Sequence, residues 1–297
     1  MGMSSGPLIP QSIGEFIGNA VKRLASSGVD SPRLSAELIL GHVLGVRREY
    51  LLAHHERVLS DAENAAAGEL LGRRAEGEPV AYLLGHKEFY GRDFLVNRHT
   101  LIPRPETEHL VDLALEDLEL AAPGLVIDLG VGSGCILLTL LCERPSLRGL
   151  GADISGRALT LAQENAVRLG VAGRCAFMLA DMTVPVFKKH SLSLLLSNPP
   201  YISPEDYANL DREVLAYEPQ NALLSPEGGL HHLAALEELG RRCLAPGGRL
   251  LLEIGSEQGQ SAMALFARAP RFWAGVENHR DLAGLPRIIY ARRSGVC

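Results

Sequence analysis

Residues 125–136 read LVIDLGVGSGCI: an apolar run breaks at three alternating glycines, Gly130, Gly132 and Gly134, and a second apolar run follows. This pattern describes a strand, a tight turn and a helix. Glycines there let the backbone turn sharply and approach a ligand, beneath a helix N-terminus that attracts anions and carboxylates. A dinucleotide-binding turn requires G-x-G-x-x-G. Counted from Gly130, the sixth position is Cys135, so that fingerprint fails. Taken alone, the stretch also fits a tight strand-to-helix turn with no ligand.

Downstream, candidate strands at 149–154, 176–179, 192–197, 249–254, 272–277 and 287–291 join the strand at 125–129, and helical segments fill most of the gaps. Such alternation implies an α/β fold: a doubly wound, mainly parallel sheet with helices on both faces. Residues 278–286 are too few to hold a crossover helix, so the last two strands are expected to be antiparallel neighbours. Upstream, 106–120 reads as an amphipathic helix with Pro105 in its first turn. Residues 81–102 are rich in β-formers, with Tyr90-Gly91-Arg92-Asp93 as a turn, and read as a hairpin. From 11 to about 80 the chain reads helical. Ile13, Phe16, Ile17, Val21 and Leu24 recur at helical spacing. Asp30-Ser31-Pro32 offers N-cap chemistry for a second helix ending at Gly45, and Ser60-Asp61-Ala62-Glu63 resembles a capping box for a third. The expected plan is a helical N-terminal bundle at 1–80 that docks a partner, a hairpin linker at 81–103, and an α/β domain at 104–297.

Bulk properties narrow the class of function. The chain has 297 residues, 46% of them hydrophobic and 22% charged, enough for one full core and a smaller satellite. A formal charge of −6 argues against a protein whose main task is to grip long nucleic acid. The five cysteines, Cys135, Cys142, Cys175, Cys243 and Cys297, form no C-x-x-C pair, which suits a reducing cytosol and implies no metal site. No apolar run approaches the roughly 18 residues of a membrane span. The stretch MGMSSGPLIPQS carries neither a secretory signal nor a myristoylation pattern, and the terminal SGVC is wrong for prenylation. A soluble cytoplasmic protein, monomeric by default, is the expectation.

Two aspartates extend the glycine loop into a site. Asp153 ends the second sheet strand about twenty residues past the loop, where a carboxylate can accept both hydroxyls of a ribose. Asp181 follows the third strand, positioned to take an adenine amino group while Met182 packs on the ring. Either aspartate alone is more often a helix cap or a solvated loop residue. Together, at successive strand ends in register with the loop, they favour a bound nucleoside. The sequence Asp128-x-Gly130-x-Gly132-x-Gly134, with Val131 and Ser133 between the glycines, resembles the cofactor loop of S-adenosylmethionine-dependent methyltransferases.

At the end of the fourth strand the chain reads Asn198-Pro199-Pro200-Tyr201. An sp² NH₂ group is a poor nucleophile because its lone pair is delocalised. The Asn198 side-chain oxygen and the Pro199 carbonyl can hold its two hydrogens and aim its electron density along the line of attack. Prolines carry no N–H to compete for these acceptors and they restrict φ. Tyr201 offers a face on which a flat group stacks. The tetrapeptide resembles the (N/D)-P-P-(Y/F/W) motif of methyltransferases acting on planar nitrogens. By itself it leaves adenine N6, cytosine N4 and a glutamine amide open.

The wider chain resembles the protein-(glutamine-N5) methyltransferases that modify class I peptide chain release factors. The resemblance rests on Gly77-Glu78-Pro79-Val80-Ala81-Tyr82, on LIPRPETE at 101–108, on the glycine loop and NPPY, on Tyr217-Glu218-Pro219 and on 251–255. It implies a seven-stranded methyltransferase domain behind a helical domain and hairpin, S-adenosylmethionine as cofactor and S-adenosylhomocysteine as product. It further implies that NPPY binds the glutamine of a Gly-Gly-Gln tripeptide, and that Phe89 and Thr107 lie at the cofactor's edge. Two other functions compete: an N6-adenine nucleic-acid methyltransferase, which requires a basic groove for a flipped base, and a non-catalytic cofactor-binding scaffold. For the former, the N-terminal segment offers only the scattered Arg47, Arg48, Arg73 and Arg74.

Overall fold

Ser12 and Ser60 start helices by the same device. Each serine hydroxyl accepts a bond from the backbone N–H three residues on, and Glu15 or Glu63 reaches back to the serine N–H at 2.8 Å. The structure, a computed structural model, describes residues 11–117 and 124–295. Residues 1–10, Cys297 and positions 118–120 of the expected amphipathic helix lie outside the described residues. Helices α1 (Ile13–Ser26), α2 (Pro32–Leu44), α3 (Arg48–Ala53), α4 (Asp61–Ala75) and α5 (Val80–Leu84) form a first unit, 11–85, which also takes in 211–217. Its core gathers Ile13, Phe16, Leu24, Ile39, Leu40 and Leu71. The buried Arg74 donates to Glu213 at 2.7 Å and to the Glu78 carbonyl at 2.9 Å.

Three local expectations need correction. Ser31 sits at φ 48 and makes no capping bond, so Pro32 in the first turn, not serine chemistry, starts α2. Residues 80–84 are helical, not part of the hairpin. Tyr82 and Leu83 donate to the Pro79 carbonyl, Leu83 is buried in the helical core, and Gly85 closes the turn at φ 77. The hairpin itself is short, β1 (His86–Phe89) with β2 (Arg92–Leu95). Tyr90 and Gly91 both have positive φ, 52 and 69, as a two-residue hairpin turn demands. Arg92 and Asp93 are therefore strand residues.

The second unit, from His86 to Leu210 and from Glu218 onward, is built on one seven-stranded sheet. Its strands are β3 (Gly124–Leu129), β4 (Leu147–Asp153), β5 (Cys175–Leu179), β6 (Leu192–Ser197), β7 (Leu244–Glu253), β8 (Trp273–Arg280) and β9 (Pro286–Arg293), in the order β5-β4-β3-β6-β7-β9-β8. The first five are parallel, β9 is antiparallel to β7, and β8 is antiparallel to β9, as the short loop between the last two strands requires. Helices α6 (Glu108–Asp117), α7 (Cys135–Glu143) and α8 (Gly156–Arg168) bury Leu110, Leu137, Leu141 and Ala162 with Val126 and Leu194. Beyond the short α9 (Pro204–Tyr207), and beyond α10 (Arg212–Tyr217), which belongs to the first unit, α11 (His231–Cys243) and α12 (Gly259–Ala267) bury Leu233, Leu236 and Phe266 with Ile127 and Leu250. Consecutive residues of β3 thus face opposite cores, the signature of a parallel sheet covered on both sides.

Asn165, fully buried on α8, ties the hairpin to the glycine loop. Its Oδ1 accepts from Leu95 N at 2.8 Å, and its Nδ2 donates to the carbonyls of Leu95 at 3.0 Å and Ser133 at 2.9 Å. Truncation leaves these backbone groups without their partner, and unpaired buried groups cost about 1–3 kcal/mol each. Asn165→Ala should therefore destabilise the protein by roughly 3 kcal/mol, read as a lower denaturant midpoint.

Candidate active site

The carboxyl ends of β3, β4, β5 and β6 surround a cavity of ≈ 370 Å³, inside the roughly 300–1,000 Å³ range of small-molecule sites. After β3, Gly130 and Val131 both donate to the Ala152 carbonyl, at 2.8 and 3.0 Å, folding the loop over the end of β4. Gly130 has φ 76, a left-handed conformation that favours glycine, while a Cβ there would meet only the movable Met182 methyl group. Gly130, Val131, Gly132 and Ser133 line the cavity. Gly134 lies behind them as the left-handed N-cap of α7, φ 85.

Asp153 enters the same cavity from the end of β4. Its Oδ2 accepts from Gly132 N at 2.9 Å and its Oδ1 from Ser155 N at 2.8 Å, which leaves lone pairs on both oxygens for a diol. Burial raises its pKa against these backbone bonds. Asp181 and Met182 line the wall after β5. Asp181 Oδ1 takes both the amide and the hydroxyl of Thr183, each at 2.8 Å, and these bonds hold its pKa down, leaving Oδ2 free. His232 lines the wall as well; burial lowers its pKa, and Nδ1 pairs with Ser225 Oγ at 2.8 Å.

Asn198 and Pro200 close the cavity at the end of β6, and Thr107 faces in from the turn before α6. Asn198 Nδ2 donates to Thr107 Oγ1 at 3.3 Å. Pro199 and Tyr201 are not part of the cavity wall. The Tyr201 phenol, pushed up to about 12 by burial and then by the Glu253 charge, stays neutral. Phe89 lies in the core, edge-on to Phe94 with ring centres 6.1 Å apart, and does not reach the cavity. Asp128 also stands behind the wall. It is 0% exposed, neither oxygen has a hydrogen-bond partner, and burial pushes its pKa up to about 7.

Several residues that support this site escaped the sequence reading. Gln258 Nε2 donates to the carbonyls of Tyr201 at 2.9 Å and Gly229 at 3.1 Å, clamping the NPPY segment. A Cβ on Gly229, φ 81, would collide with the Tyr201 carbonyl oxygen, so no other residue fits there. Glu218, read above only as part of the Tyr217-Glu218-Pro219 segment, is buried. It accepts from Arg104 at 2.5 Å and from Ile102 N at 3.3 Å, holding the IPRP segment against the cavity. The Tyr217-Glu218-Pro219 segment was visible, but its partners Ile102 and Arg104 lie more than a hundred positions away. Among the described residues no cluster of metal-ligating side chains occurs, and no helix is long and apolar enough to cross a membrane.

These features fit an adenosyl cofactor that carries an amino acid. Backbone amides lie under a helix N-terminus for its carboxylate, Asp153 carries free lone pairs for a ribose, and Asp181 has a free oxygen for an amino group. The unpartnered Asp128 adds a buried negative charge beneath the loop that a cationic ligand can offset. Its raised pKa means that its contribution to stability is present below the unfolded value, near 4, and is lost as pH rises toward 7. In ligand-free protein, Asp128→Asn should therefore melt several degrees above wild type at pH 8, with the gap closing toward pH 4. A gap independent of pH would contradict this account.

Comparison with known proteins accords with this geometry. Residues 15–85 match the PrmC N-terminal domain and 109–235 the methyltransferase small domain. A release factor glutamine methyltransferase of Nitratidesulfovibrio vulgaris is 49% identical over 93% of this chain and 93% of its own length. Namesakes from Cereibacter sphaeroides, 41% identical over 92% and 95%, and Koribacter versatilis, 38% over 93% and 96%, extend the likeness. A chain matched almost end to end at this identity, with a cofactor cavity flanked by NPPY, belongs to the release factor glutamine methyltransferases.

Proposed function

We propose that the protein methylates the side-chain amide nitrogen (N5) of the glutamine in the Gly-Gly-Gln tripeptide of class I peptide chain release factors. The observation that carries this reading is that Asn198 and Pro200 share one cavity wall with the glycine loop, Asp153 and Asp181. In this reading Gly130–Gly134, Asp153 and Asp181 hold S-adenosylmethionine, with Met182 against the adenine. When bound, that cofactor supplies a sulfonium-activated methyl group and leaves as S-adenosylhomocysteine.

The chain's own residues prepare the nitrogen. Asn198 Oδ1 and the Pro199 carbonyl accept the two amide hydrogens, fix the plane of the group and stabilise positive charge developing on it, and one of those hydrogens then leaves to solvent as a proton once the new C–N bond has formed. Tyr201 gives the amide a face to stack on, and its neutral phenol adds no competing charge. The helical unit docks the release factor, and the enzyme acts as a cytoplasmic monomer on protein and not on nucleic acid. Near-full-length relatives named for release factor glutamine methylation support glutamine over adenine or cytosine.

Two measurements check this. Asn198→Ala should lower kcat roughly 10²–10³-fold, the usual loss when one preorganised polar partner of a transition state is removed; turnover near wild type would sink the mechanism. With labelled S-adenosylmethionine, purified release factors and unmethylated DNA in one reaction, label should appear on the release factor. Label confined to DNA would reject the substrate.

A further inference from the structure

Asp181 gives the cavity an acceptor for an amino group, but the edge of an adenine has a second half. A ring nitrogen flanks its amino group on either side, N1 on one and N7 on the other, and each only accepts. A wall that reads this edge needs a donor beside the acceptor. Met182, the other residue assigned there, has a thioether side chain with nothing to donate.

His232 lines the same cavity from the first turn of α11, and either of its ring nitrogens can carry the hydrogen. Ser225 decides which. It is 0% exposed, and its Oγ lies 2.8 Å from His232 Nδ1. Oγ also accepts from His232 N at 3.4 Å, and among the described residues it has no other partner. The hydroxyl hydrogen therefore has one acceptor in reach, the Nδ1 lone pair. A hydrogen on Nδ1 would leave the hydroxyl hydrogen buried with nothing to bond, a costly state. Nδ1 accepts, so in the neutral ring Nε2 carries the hydrogen. Burial lowers the pKa of the ring, which favours that neutral form. With Nδ1 turned to the buried serine, the side of the ring left for the cavity ends in Nε2–H.

This donor is firmly held. Ser225 N donates to the Ile202 carbonyl at 2.8 Å and Ile202 N to the Leu223 carbonyl at 2.9 Å, so the serine is bridged to the residue that follows NPPY. Four positions on, the Gly229 carbonyl takes the same Gln258 amide that holds Tyr201. The start of α11 and the NPPY segment are thus fastened together. We propose that His232, oriented by Ser225, is a further cofactor-binding residue whose Nε2–H donates to the ring nitrogen beside the adenine amino group, while Asp181 accepts from that amino group. The inference rests on the reading that Asp181 and Met182 hold the adenine. A base with a carbonyl in place of the amino group would set its oxygen against the carboxylate, so the pair selects adenine.

The test is binding, with no turnover required. Calorimetry measures the affinity of wild type, His232→Phe and Asp181→Ala for S-adenosylhomocysteine and for its 1-deaza and 7-deaza forms, each of which lacks one of the two ring nitrogens. Wild type should bind one deaza form roughly tenfold more weakly than the parent, the worth of one hydrogen bond. His232→Phe should bind the parent roughly tenfold more weakly than wild type does, and should no longer distinguish it from that deaza form. In wild type carrying nitrogen-15 histidine, NMR should show His232 as the Nε2–H tautomer, with that proton protected from exchange once S-adenosylhomocysteine is added. Wild-type affinity in His232→Phe overturns the proposal, as do equal affinities of wild type for all three ligands or an Nδ1–H tautomer at His232. If His232→Phe does not fold, the deaza forms and the NMR on wild type decide. Asp181→Ala separates the two failures. Unchanged affinity there overturns the placement of the adenine itself. Weakened binding there, with no effect of His232→Phe, overturns only the role of His232.

Discussion

The site depends on a register. Asp128 pairs with Gly151 on one side and Leu196 on the other, and Asp153 pairs with Leu179, so four parallel strands end along one edge. Parallel strands cannot be joined by tight hairpins, so a separate loop leaves each end and leads toward a crossover. The strand order runs outward from β3 to β4 and β5, then returns to place β6 on the other flank of β3. At that reversal neighbouring loops diverge and a crevice opens. The glycine loop, Asp153, Asp181 and Asn198 meet because each lies at, or within two residues beyond, the carboxyl end of its strand. A slip of one residue in β3 would exchange Asp128 for a leucine and turn the loop away.

Electrostatically, the site combines committed and uncommitted groups. Asp181 is held ionised by Thr183, and Tyr201 is held neutral by burial. Asp128 and Glu253 lie between these cases, each buried with an oxygen that has no partner and each near pH 7 in its titration. A fold gains nothing in stability from such groups.

Much of this was legible in the residues themselves, for a physical reason. Capping boxes at Ser12 and Ser60, the alternating glycines and the strand-ending NPPY act through neighbours within a few positions, so local sequence carries them. Residues 81–84 were misread because a short apolar run has no period of its own; burial of Leu83 in a helical core decided it. Asp30-Ser31 looked like a cap, but the left-handed backbone at Ser31 points its hydroxyl elsewhere. The contacts that support the site were hidden for a different reason. Gln258 reaches Tyr201 across 57 positions, Thr107 reaches Asn198 across 91, and Glu218 reaches Ile102 across 116. No window of sequence contains both partners of such a bond. Phe89 shows the converse: its resemblance to a cofactor-edge position was readable, yet its ring lies in the core.

Residues 211–217 belong with the helical unit although both flanking stretches belong to the sheet. The chain consequently passes between the units at 85–86, again at 210–211 and again at 217–218. No single proteolytic nick can release one unit from the other, and neither can be transplanted as one uninterrupted segment. A hybrid enzyme that borrows the helical unit of a relative must bring the matching 211–217 insert with it, or Arg74 is left buried without Glu213.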